Sequence, residues 1–316
     1  MVAAVAWHHG RVPGLMLLDT PSLYFRAFFG VPETVTAPDG TPVNAVRGLL
    51  DMIAVLVQTR SPERLVCTMD ADWRPAFRVA ALPSYKAHRV AEDGGDQTPD
   101  PLERQLPIID AVLDAFGLAK VGVPGYEADD VIGTLATRAV AESRAPVDIV
   151  TGDRDLFQLV DERGPVQVLY TARGIRNLQV MGEKEVAAKY GIPGRGYADF
   201  ATLRGDPSDG LPGVPGVGDK TAAALVSRFG SIEGILDAID AGRTDGFPAG
   251  SRLKMAAARD YLATAQTVVR VVTNITIPEH DDRLPSAPHD PATVVGLADQ
   301  YNLDGPTNRL LAALAR

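Results

Sequence analysis

Three short apolar runs, each ending in an aspartate, constrain the fold of this 316-residue chain more than any other feature. They cover residues 14–19, 64–70 and 147–153. Runs of this length and composition are typical of strands buried on both faces of a sheet. A further strand pattern covers 166–171, and helical patterns cover 43–59, 105–116 and 126–143. Because strands alternate with helices, we expect an α/β core with a parallel sheet and helices on both faces.

The three aspartates that end these runs are expected to share one site. The carboxyl ends of parallel strands meet at one edge of the sheet, where open α/β sheets bind their ligands. This reasoning brings together Asp19, Asp70 and Asp153. Six further acids follow nearby and complete the candidate set: Glu127, Asp129, Asp130, Asp155, Asp206 and Asp209. Each alone is also typical of a turn or a helix N-cap, but carboxylates crowded at one site repel and need protons or cations.

The residue types in this set indicate which cation they would hold. Carboxylate oxygens without nearby His or Cys favour Mg²⁺ or Mn²⁺ over zinc, and the five His of the chain lie outside the acidic clusters. The single cysteine, Cys67, excludes an internal disulfide and a cysteine-rich zinc site. The formal net charge of the chain is −9, and the nine candidate acids account for all of it. The rest of the chain is therefore neutral overall and can carry basic patches. Divalent ions on carboxylates are typical of phosphodiesterases and nucleases.

A second motif, GVPGVGDKTA at residues 213–222, begins a helix that Gly230 ends. Its glycines allow close backbone approach, the helix N-terminus attracts anions, and Lys220 adds a cation. Asp219 precedes Lys220, so this is not a Walker loop, and no strand comes before it, as a dinucleotide fingerprint requires. The motif favours a helix–hairpin–helix that binds the DNA backbone without reading sequence; a plain glycine-rich connection is the alternative.

Strand patterns fade after about residue 180, which divides the chain. We predict an N-terminal extension over 1–13, an α/β core over 14–180 and a helical region over 181–316, with the hairpin motif at 198–240. The polar stretch between Ser84 and Pro101 indicates a mobile loop or lid. No run is long enough to span a membrane and no secretory signal is evident, so we expect a cytoplasmic protein.

In their order, these motifs resemble the flap endonuclease or 5′-nuclease family, most closely the 5′–3′ exonuclease domain of bacterial DNA polymerase I. The matching motifs are LLD at 17–19, MD at 69–70, FR at 77–78, YK at 85–86, EADD at 127–130, TGDRD at 151–155, GDPSD at 205–209 and the hairpin motif. The match runs from about residue 15 to 290 and leaves no room for a polymerase, so we expect a stand-alone bacterial version. Thr20 and Gly210 depart from the usual Asp-Gly and Asp-Asn pairs, but no carboxylate is lost.

The resemblance implies a PIN-like nuclease core, a helical arch over about 84–110 and a helix–three-turn–helix element. It assigns the first metal to Asp19, Asp70, Glu127 and Asp129 with Asp130 close by, and the second metal to Asp153, Asp155 and Asp206 with Asp209 adjacent. It places Lys86 and Arg89 at the scissile phosphate as catalytic residues. DNA contacts are expected from Arg78, Tyr85, Gly216, Gly218 and Lys220, and the hairpin carbonyls are candidates to hold K⁺.

The function implied is two-metal hydrolysis of DNA at 5′ flaps, nicks or overhangs, giving 5′-phosphate and 3′-hydroxyl ends during replication and repair. RNA–DNA primers are a further expected substrate, and we expect a monomer. Two other functions fit the sequence less well. A catalytically inactive DNA-binding scaffold would be expected to have lost acids, and none is lost. A toxin-type PIN ribonuclease would be much shorter and would lack the hairpin motif.

Overall fold

A computed structural model describes residues 14–92, 94–142 and 146–315, so the predicted extension over 1–13 lies outside the described residues. Its centre is a six-stranded sheet with the strand order β3-β2-β1-β4-β5-β6. The strands are β1 Leu15–Asp19, β2 Arg64–Thr68, β3 Ala119–Val121, β4 Val147–Thr151, β5 Val166–Tyr170 and β6 Gln179–Met181. All neighbouring pairs are parallel except β5 and β6, which are antiparallel.

Fourteen α-helices accompany the sheet in the part of the chain that the structure describes. In the first 190 residues they are α1 Thr20–Gly30, α2 Asn44–Arg60, α3 Ala76–Ala81, α4 Asp100–Glu103, α5 Leu106–Phe116, α6 Ala128–Ala141 and α7 Glu183–Tyr190. They continue with α8 Tyr197–Arg204, α9 Asp219–Phe229, α10 Ile232–Asp240, α11 Ser251–Ala257, α12 Arg259–Val269, α13 Pro291–Tyr301 and α14 Asp304–Leu314. The predicted α/β core followed by a helical region is therefore confirmed.

Both faces of the sheet are covered, as the continuous apolar runs predict. Along β1, Leu15 and Leu17 belong to one core, and Met16 and Leu18 belong to the other. The first core includes α6 and the helices from α8 to α12, and the second includes α1, α2, α5 and α14. The strand order reverses between β1 and β4, and this is the point of an open sheet where a ligand crevice forms.

The sequence predicted β1, β2, β4 and β5 but not the two outer strands. Both β3 and β6 are only three residues long and have partly exposed side chains. Strands of three residues are too short to show an alternation of apolar and polar residues, and their formation depends on the strand with which they pair. Among the described residues no strand follows β6, as predicted.

The predicted helical arch over 84–110 is largely absent as a helix. Before α5 begins, the described residues of this segment form a 3₁₀ helix at Ala87–Arg89 and the four-residue α4. An isolated bridge between Val90 and Asp96 folds the middle of the segment into a compact loop. Proline and glycine within 94–101 explain this, because neither residue favours a helix interior.

The last two helices return to the core of the protein. Helix α14 packs against α2, and α13 packs against α5. The strand-like segment before them also reaches back, since the Leu65 amide donates a hydrogen bond to the Asp282 carbonyl at 2.8 Å. Among the described residues, no helix is both long and apolar enough to cross a membrane.

Candidate metal-dependent active site

The end of β1 and the end of β4 meet at the point where the strand order reverses. Asp19 is the last residue of β1 and also the N-cap of α1, where its carboxylate accepts a hydrogen bond from the Ser22 amide at 3.2 Å. Its second oxygen accepts one from the Thr151 hydroxyl at 2.6 Å. That hydroxyl in turn accepts a hydrogen bond from the Asp153 amide at 2.8 Å. Thr151 therefore fixes two of the predicted acids relative to each other.

The end of β2 is tied to the start of α6. The Asp70 carboxylate accepts a hydrogen bond from the Ala128 amide at 2.8 Å, within the first turn of that helix. An acid near a helix N-terminus is favourable, and here it also brings Asp129 to the same place. The predicted convergence of the strand ends is thus observed. A cleft of about 250 Å³ forms there, lined by Asp19, Asp70, Lys86, Arg89, Glu127, Asp129 and Asp153 together with Pro21, Ser22, Phe25 and Gly152.

Burial and crowding make these carboxyl groups reluctant to ionise. Desolvation raises the pKa of Asp19 to about 7, and the charges of Asp70 and Asp153 add to the increase. The pKa of Asp129 is raised well above its usual value, by burial first and then by the charges of Asp19 and Asp153. A cation that offsets these charges would be bound preferentially by the ionised carboxylates.

Glu127 is held by three side chains that come from the segment after β2. It receives hydrogen bonds from the Tyr85 hydroxyl, at 2.7 Å to Oε2, and from Arg78 and Lys86. The pKa of Lys86 is lowered by burial but raised more strongly by Glu127 and Asp209, so the ammonium form is retained. Glu127 lies in the cleft but faces cations of the protein itself.

Two of the predicted DNA contacts, Arg78 and Tyr85, are buried inside the protein, so these two predictions are wrong. Arg78 is 2% exposed and Tyr85 is 3% exposed, so neither presents a surface to a nucleic acid. Arg78 donates to Glu127, to both oxygens of Asp130 and to the Val268 carbonyl at 3.0 Å. A basic residue next to an aromatic one is typical both of a nucleic-acid surface and of a buried ion pair, which is why the sequence misled.

Asp130 also differs from its predicted role near a metal. Its side chain is fully buried and accepts hydrogen bonds from Arg78 and from the amides of Glu127 and Val272, at 3.2 and 2.8 Å. With Glu127 it forms the capping box of α6. Both oxygens are therefore occupied inside the protein, and Asp130 does not line the cleft.

The remaining predicted acids form a second group beside the first. The pKa of Asp155 is raised well above its usual value, first by burial and then by the charges of Asp153, Asp209 and Asp206. Burial also raises the pKa of Asp209 to about 6, against the effect of the Lys86 cation. Asp206 accepts a hydrogen bond from Arg204 at 3.3 Å.

The base of the 84–110 segment is attached to this second group. The Lys86 amide donates to the Asp209 carbonyl at 3.0 Å, and the Ser84 hydroxyl donates to the Gly210 carbonyl at 2.9 Å. Arg89 follows one turn later, lines the cleft and pairs with Asp96 at 2.6 Å. The two predicted catalytic cations therefore lie beside the acids, as expected from the sequence.

The hairpin motif follows Asp206 and Asp209 in the connection from α8 to α9 and includes the first turn of α9. Gly218 is the N-cap of α9, and Lys220 is exposed in its first turn. Gly216 has φ +71°, which favours glycine. Its carbonyl accepts a hydrogen bond from Lys254 at 2.8 Å, a contact that sequence spacing does not indicate.

The donor set fits a hard divalent cation in its chemistry. The candidate ligand atoms are carboxylate oxygens, which Mg²⁺, Mn²⁺ and Ca²⁺ prefer. Burial opposes the ionisation of Asp19 and Asp129, and a bound cation would offset that effect. Within 14–92, 94–142 and 146–315, however, no three acidic, His or Cys side chains already converge as a finished ligand cage. The contacts of Glu127 with Arg78 and Lys86 are one reason, because they turn that carboxylate toward protein cations.

Comparison with known proteins decides the family. Residues 14–191 match the family described as 5′–3′ exonuclease, N-terminal resolvase-like domain, and residues 192–292 match 5′–3′ exonuclease, C-terminal SAM fold. The chain belongs to the 5′–3′ exonuclease family. A Streptomyces coelicolor protein named 5′–3′ exonuclease is 55% identical over 95% of this chain and 99% of its own length. One from Mycobacterium tuberculosis, also named 5′–3′ exonuclease, is 50% identical over 95% of this chain and 97% of its own length.

The fold of this family member is that of known flap nucleases. A solved structure of bacteriophage T5 flap endonuclease, in a complex with DNA and metal ions, aligns with a TM-score of 0.60 at 17% identity. The alignment covers 96% of this chain and all of that one. The predicted resemblance and the nuclease fold are confirmed, and the chain is a 5′ nuclease by family.

Proposed function

We propose that this 5′ nuclease is a divalent-metal-dependent, structure-specific enzyme that hydrolyses DNA at 5′ flaps, nicks or overhangs. The observation that carries the proposal is the cleft at the ends of β1, β2 and β4. It combines carboxylates from three strand ends with the cations Lys86 and Arg89. Acids alone would suit metal storage, and cations alone would suit anion binding; both together suit a metal-assisted reaction at a phosphate.

We propose that the metal ligands are those of the two acid groups. Asp19, Asp70, Glu127 and Asp129 would hold one ion, and Asp153, Asp155, Asp206 and Asp209 would hold another, directly or through water. Mg²⁺ or Mn²⁺ fits oxygen ligands of this kind. When bound, such ions supply a hydroxide at neutral pH and charge stabilisation for the leaving oxygen.

The side chains of the protein would then position the phosphate. Lys86 and Arg89 stand at the cleft, and both are paired with carboxylates in the structure, Lys86 with Glu127 and Arg89 with Asp96. A phosphodiester oxygen entering the cleft would compete for these cations, so they are suited to offset negative charge on the phosphate. The products expected from this arrangement are a 5′ phosphate and a 3′ hydroxyl.

We propose that the hairpin motif binds the duplex backbone. Lys220 is exposed in the first turn of α9, so its charge is available to a phosphate. Phosphate contacts carry no base code, so recognition would follow DNA structure. The T5 flap endonuclease structure contains DNA and metal ions, which supports this proposal by analogy of fold. RNA–DNA primers as substrates, action as a monomer in the cytoplasm, and a role in replication and repair belong to the same proposal.

The test is cleavage of a 5′-labelled flap duplex with Mg²⁺, Mn²⁺ or EDTA, followed by sizing of the products. We expect cuts near the flap junction that EDTA and the variant Asp153→Ala abolish. The variant Asp114→Ala is the matched control, because it removes an exposed aspartate that pairs only with Lys120 at 2.8 Å. Tight DNA binding without cleavage in any metal would instead support the inactive scaffold.

A further inference from the structure

One of the two cations at the cleft is paired with a carboxylate from its own segment. Arg89 donates to both oxygens of Asp96, from Nε at 3.3 Å and from Nη2 at 2.6 Å. The side chain of Asp96 is 15% exposed and that of Arg89 is 36% exposed, so the pair is partly shielded from water. A guanidinium group binds a phosphate through the same kind of two-point contact. Asp96 therefore holds Arg89 in the way that a phosphate would.

The backbone keeps Asp96 opposite Arg89. The Gln97 amide donates to the Arg89 carbonyl at 2.9 Å, and Val90 forms an antiparallel bridge with Asp96. The Gln97 side chain also donates to the Val90 carbonyl at 3.2 Å. The residues next to both members of the ion pair are thus tied together. While these bonds remain, the Asp96 carboxylate stays within reach of Arg89 even when another anion binds the guanidinium group.

The guanidinium group of Arg89 also faces the acids of the cleft. It lies 5.6 Å from the centroid of the Trp73 ring, a cation–π contact that limits its movement. Burial raises the pKa of Asp70, and the positive charge of Arg89 is one of the effects that oppose this increase. Arg89 thus lies where its charge reaches a candidate metal ligand while its hydrogen bonds go to Asp96.

Hydrolysis changes the charge of the group that Arg89 would contact. A phosphodiester carries one negative charge, whereas a terminal phosphate carries about −1.5 to −2 near pH 7. A cation that stabilises the reacting phosphate therefore attracts the 5′-phosphate product still more strongly. Tight binding of a product slows turnover, and product release limits the rate of many enzymes. A carboxylate that can replace the product on Arg89 weakens this binding.

We propose that Asp96 is a positioning residue that competes with the 5′-phosphate product for Arg89 and thereby speeds product release. The inference rests on the proposed function, a nuclease that leaves a 5′ phosphate. Asp96 acts through Arg89 and does not line the cleft itself. The same competition weakens the binding of substrate, so Asp96 lowers affinity for DNA while it raises turnover.

The test compares the full chain with its variant Asp96→Asn, which keeps the size of the side chain and removes its charge. Glu92→Gln is the matched control, because it removes a charge from an exposed acid of the same loop. Flap cleavage in Mg²⁺ gives the steady-state kcat and KM, and an excess of enzyme gives the single-turnover rate. Inhibition by the cleaved duplex, with a 5′-phosphate or a 5′-hydroxyl end, gives the affinity for each product. Asp96→Ser repeats every measurement with a shorter side chain.

We expect Asp96→Asn to bind the 5′-phosphate product about fivefold more tightly, the effect of one partly exposed ion pair. Its affinity for the 5′-hydroxyl product should not change. Both KM and kcat should fall, while the single-turnover rate stays the same because the chemical step is unaffected. Glu92→Gln should behave as the unaltered protein. In a chain that already carries Arg89→Met, Asp96→Asn should have no effect on product affinity, since the two residues act together.

Three results would overturn the inference. The first is an unchanged product affinity in Asp96→Asn. The second is an equal gain for both products, or a gain that persists in the Arg89→Met background, because a general effect of charge would then be the cause. The third is a higher KM with a slower single-turnover rate, which would show that Asp96 only maintains the loop. Absence of cleavage by the unaltered protein in Mg²⁺ and in Mn²⁺ would instead refute the proposed function.

Discussion

Arg78 offers the most direct test of how the nuclease core and the helical region are joined. Its guanidinium group lies between two carboxylates at the start of α6, the N-cap Glu127 and Asp130 in the first turn. It also donates a hydrogen bond to the Val268 carbonyl near the end of α12. The side chains of Arg78, Glu127 and Asp130 are 3%, 7% and 0% exposed. Replacing Arg78 with Met keeps most of the volume but leaves the buried Asp130 carboxylate without a cation and Glu127 with Lys86 alone.

The size of the effect follows from that burial. Removing one partner of a buried ion pair costs about 3–5 kcal/mol, because the remaining charge stays desolvated. For a chain of 316 residues this corresponds to a decrease in melting temperature of roughly 5–8 °C.

The assay is thermal unfolding followed by circular dichroism, with Arg309→Met as the matched control. Arg309 pairs with Asp51 at 2.7 Å, but their side chains are 50% and 37% exposed. Exposed pairs contribute about 0–1 kcal/mol, so the control should lower the melting temperature by about 1 °C. If Arg78→Met is no more destabilising than the control, Arg78 does not compensate buried charge and the argument is wrong.

Three further predictions concern the cleft. The Thr151 hydroxyl stabilises ionised Asp19, so Thr151→Val should raise the pKa of Asp19 above its value of about 7. The pH midpoint of Mn²⁺ binding, measured by calorimetry between pH 5 and 9, should then shift upward by about one pH unit, and an unchanged midpoint would contradict this. Folding raises the pKa of Asp19 from 3.8 to about 7, so the folded protein binds this proton more tightly than the unfolded chain does. The melting temperature in EDTA should therefore fall as the pH rises from 5.5 to 8, and Mg²⁺ should restore it at pH 8. A melting temperature that rises with pH in EDTA would show that other groups dominate. Gly210→Ala should impair flap cleavage, because Gly210 has φ +73° and a Cβ there would lie 2.1 Å from the Ser84 carbonyl oxygen. The control Gly94→Ala, at φ +88° with open space around it, should introduce only backbone strain, and equal effects on cleavage would argue against the steric cause.

The strand ends and their acids could be predicted because both depend on local patterns. An apolar run that ends in Asp19 identifies a buried strand and its carboxyl end, and parallel topology then brings the acids together. The partners of those acids could not be predicted in this way. Arg78 and Asp130 are 52 residues apart in the sequence but form a hydrogen bond in the structure. Nothing in that spacing distinguishes a buried guanidinium group from one that faces DNA.

The segment over 84–110 shows a different limit. Its family position suggested an arch helix, but local composition favours turns, and the structure follows the composition there. Lys254 marks the opposite case, since a lysine in a short helix has no sequence feature that predicts a bond to Gly216. Contacts between elements that are distant along the chain have no counterpart in local sequence patterns, so the sequence could not predict them.

The return of the last helices has a practical consequence for dissecting the protein. Residues 14–191 and 192–292 correspond to two separate family descriptions, yet α14 lies beyond both and covers α2 of the first. A fragment that stops at 191 or 292 would expose the apolar face that Leu310 and Leu314 bury, and such fragments tend to aggregate. Fusion tags, reporter proteins and tethered enzymes should therefore be joined after residue 314, and expression of either half alone should give insoluble material.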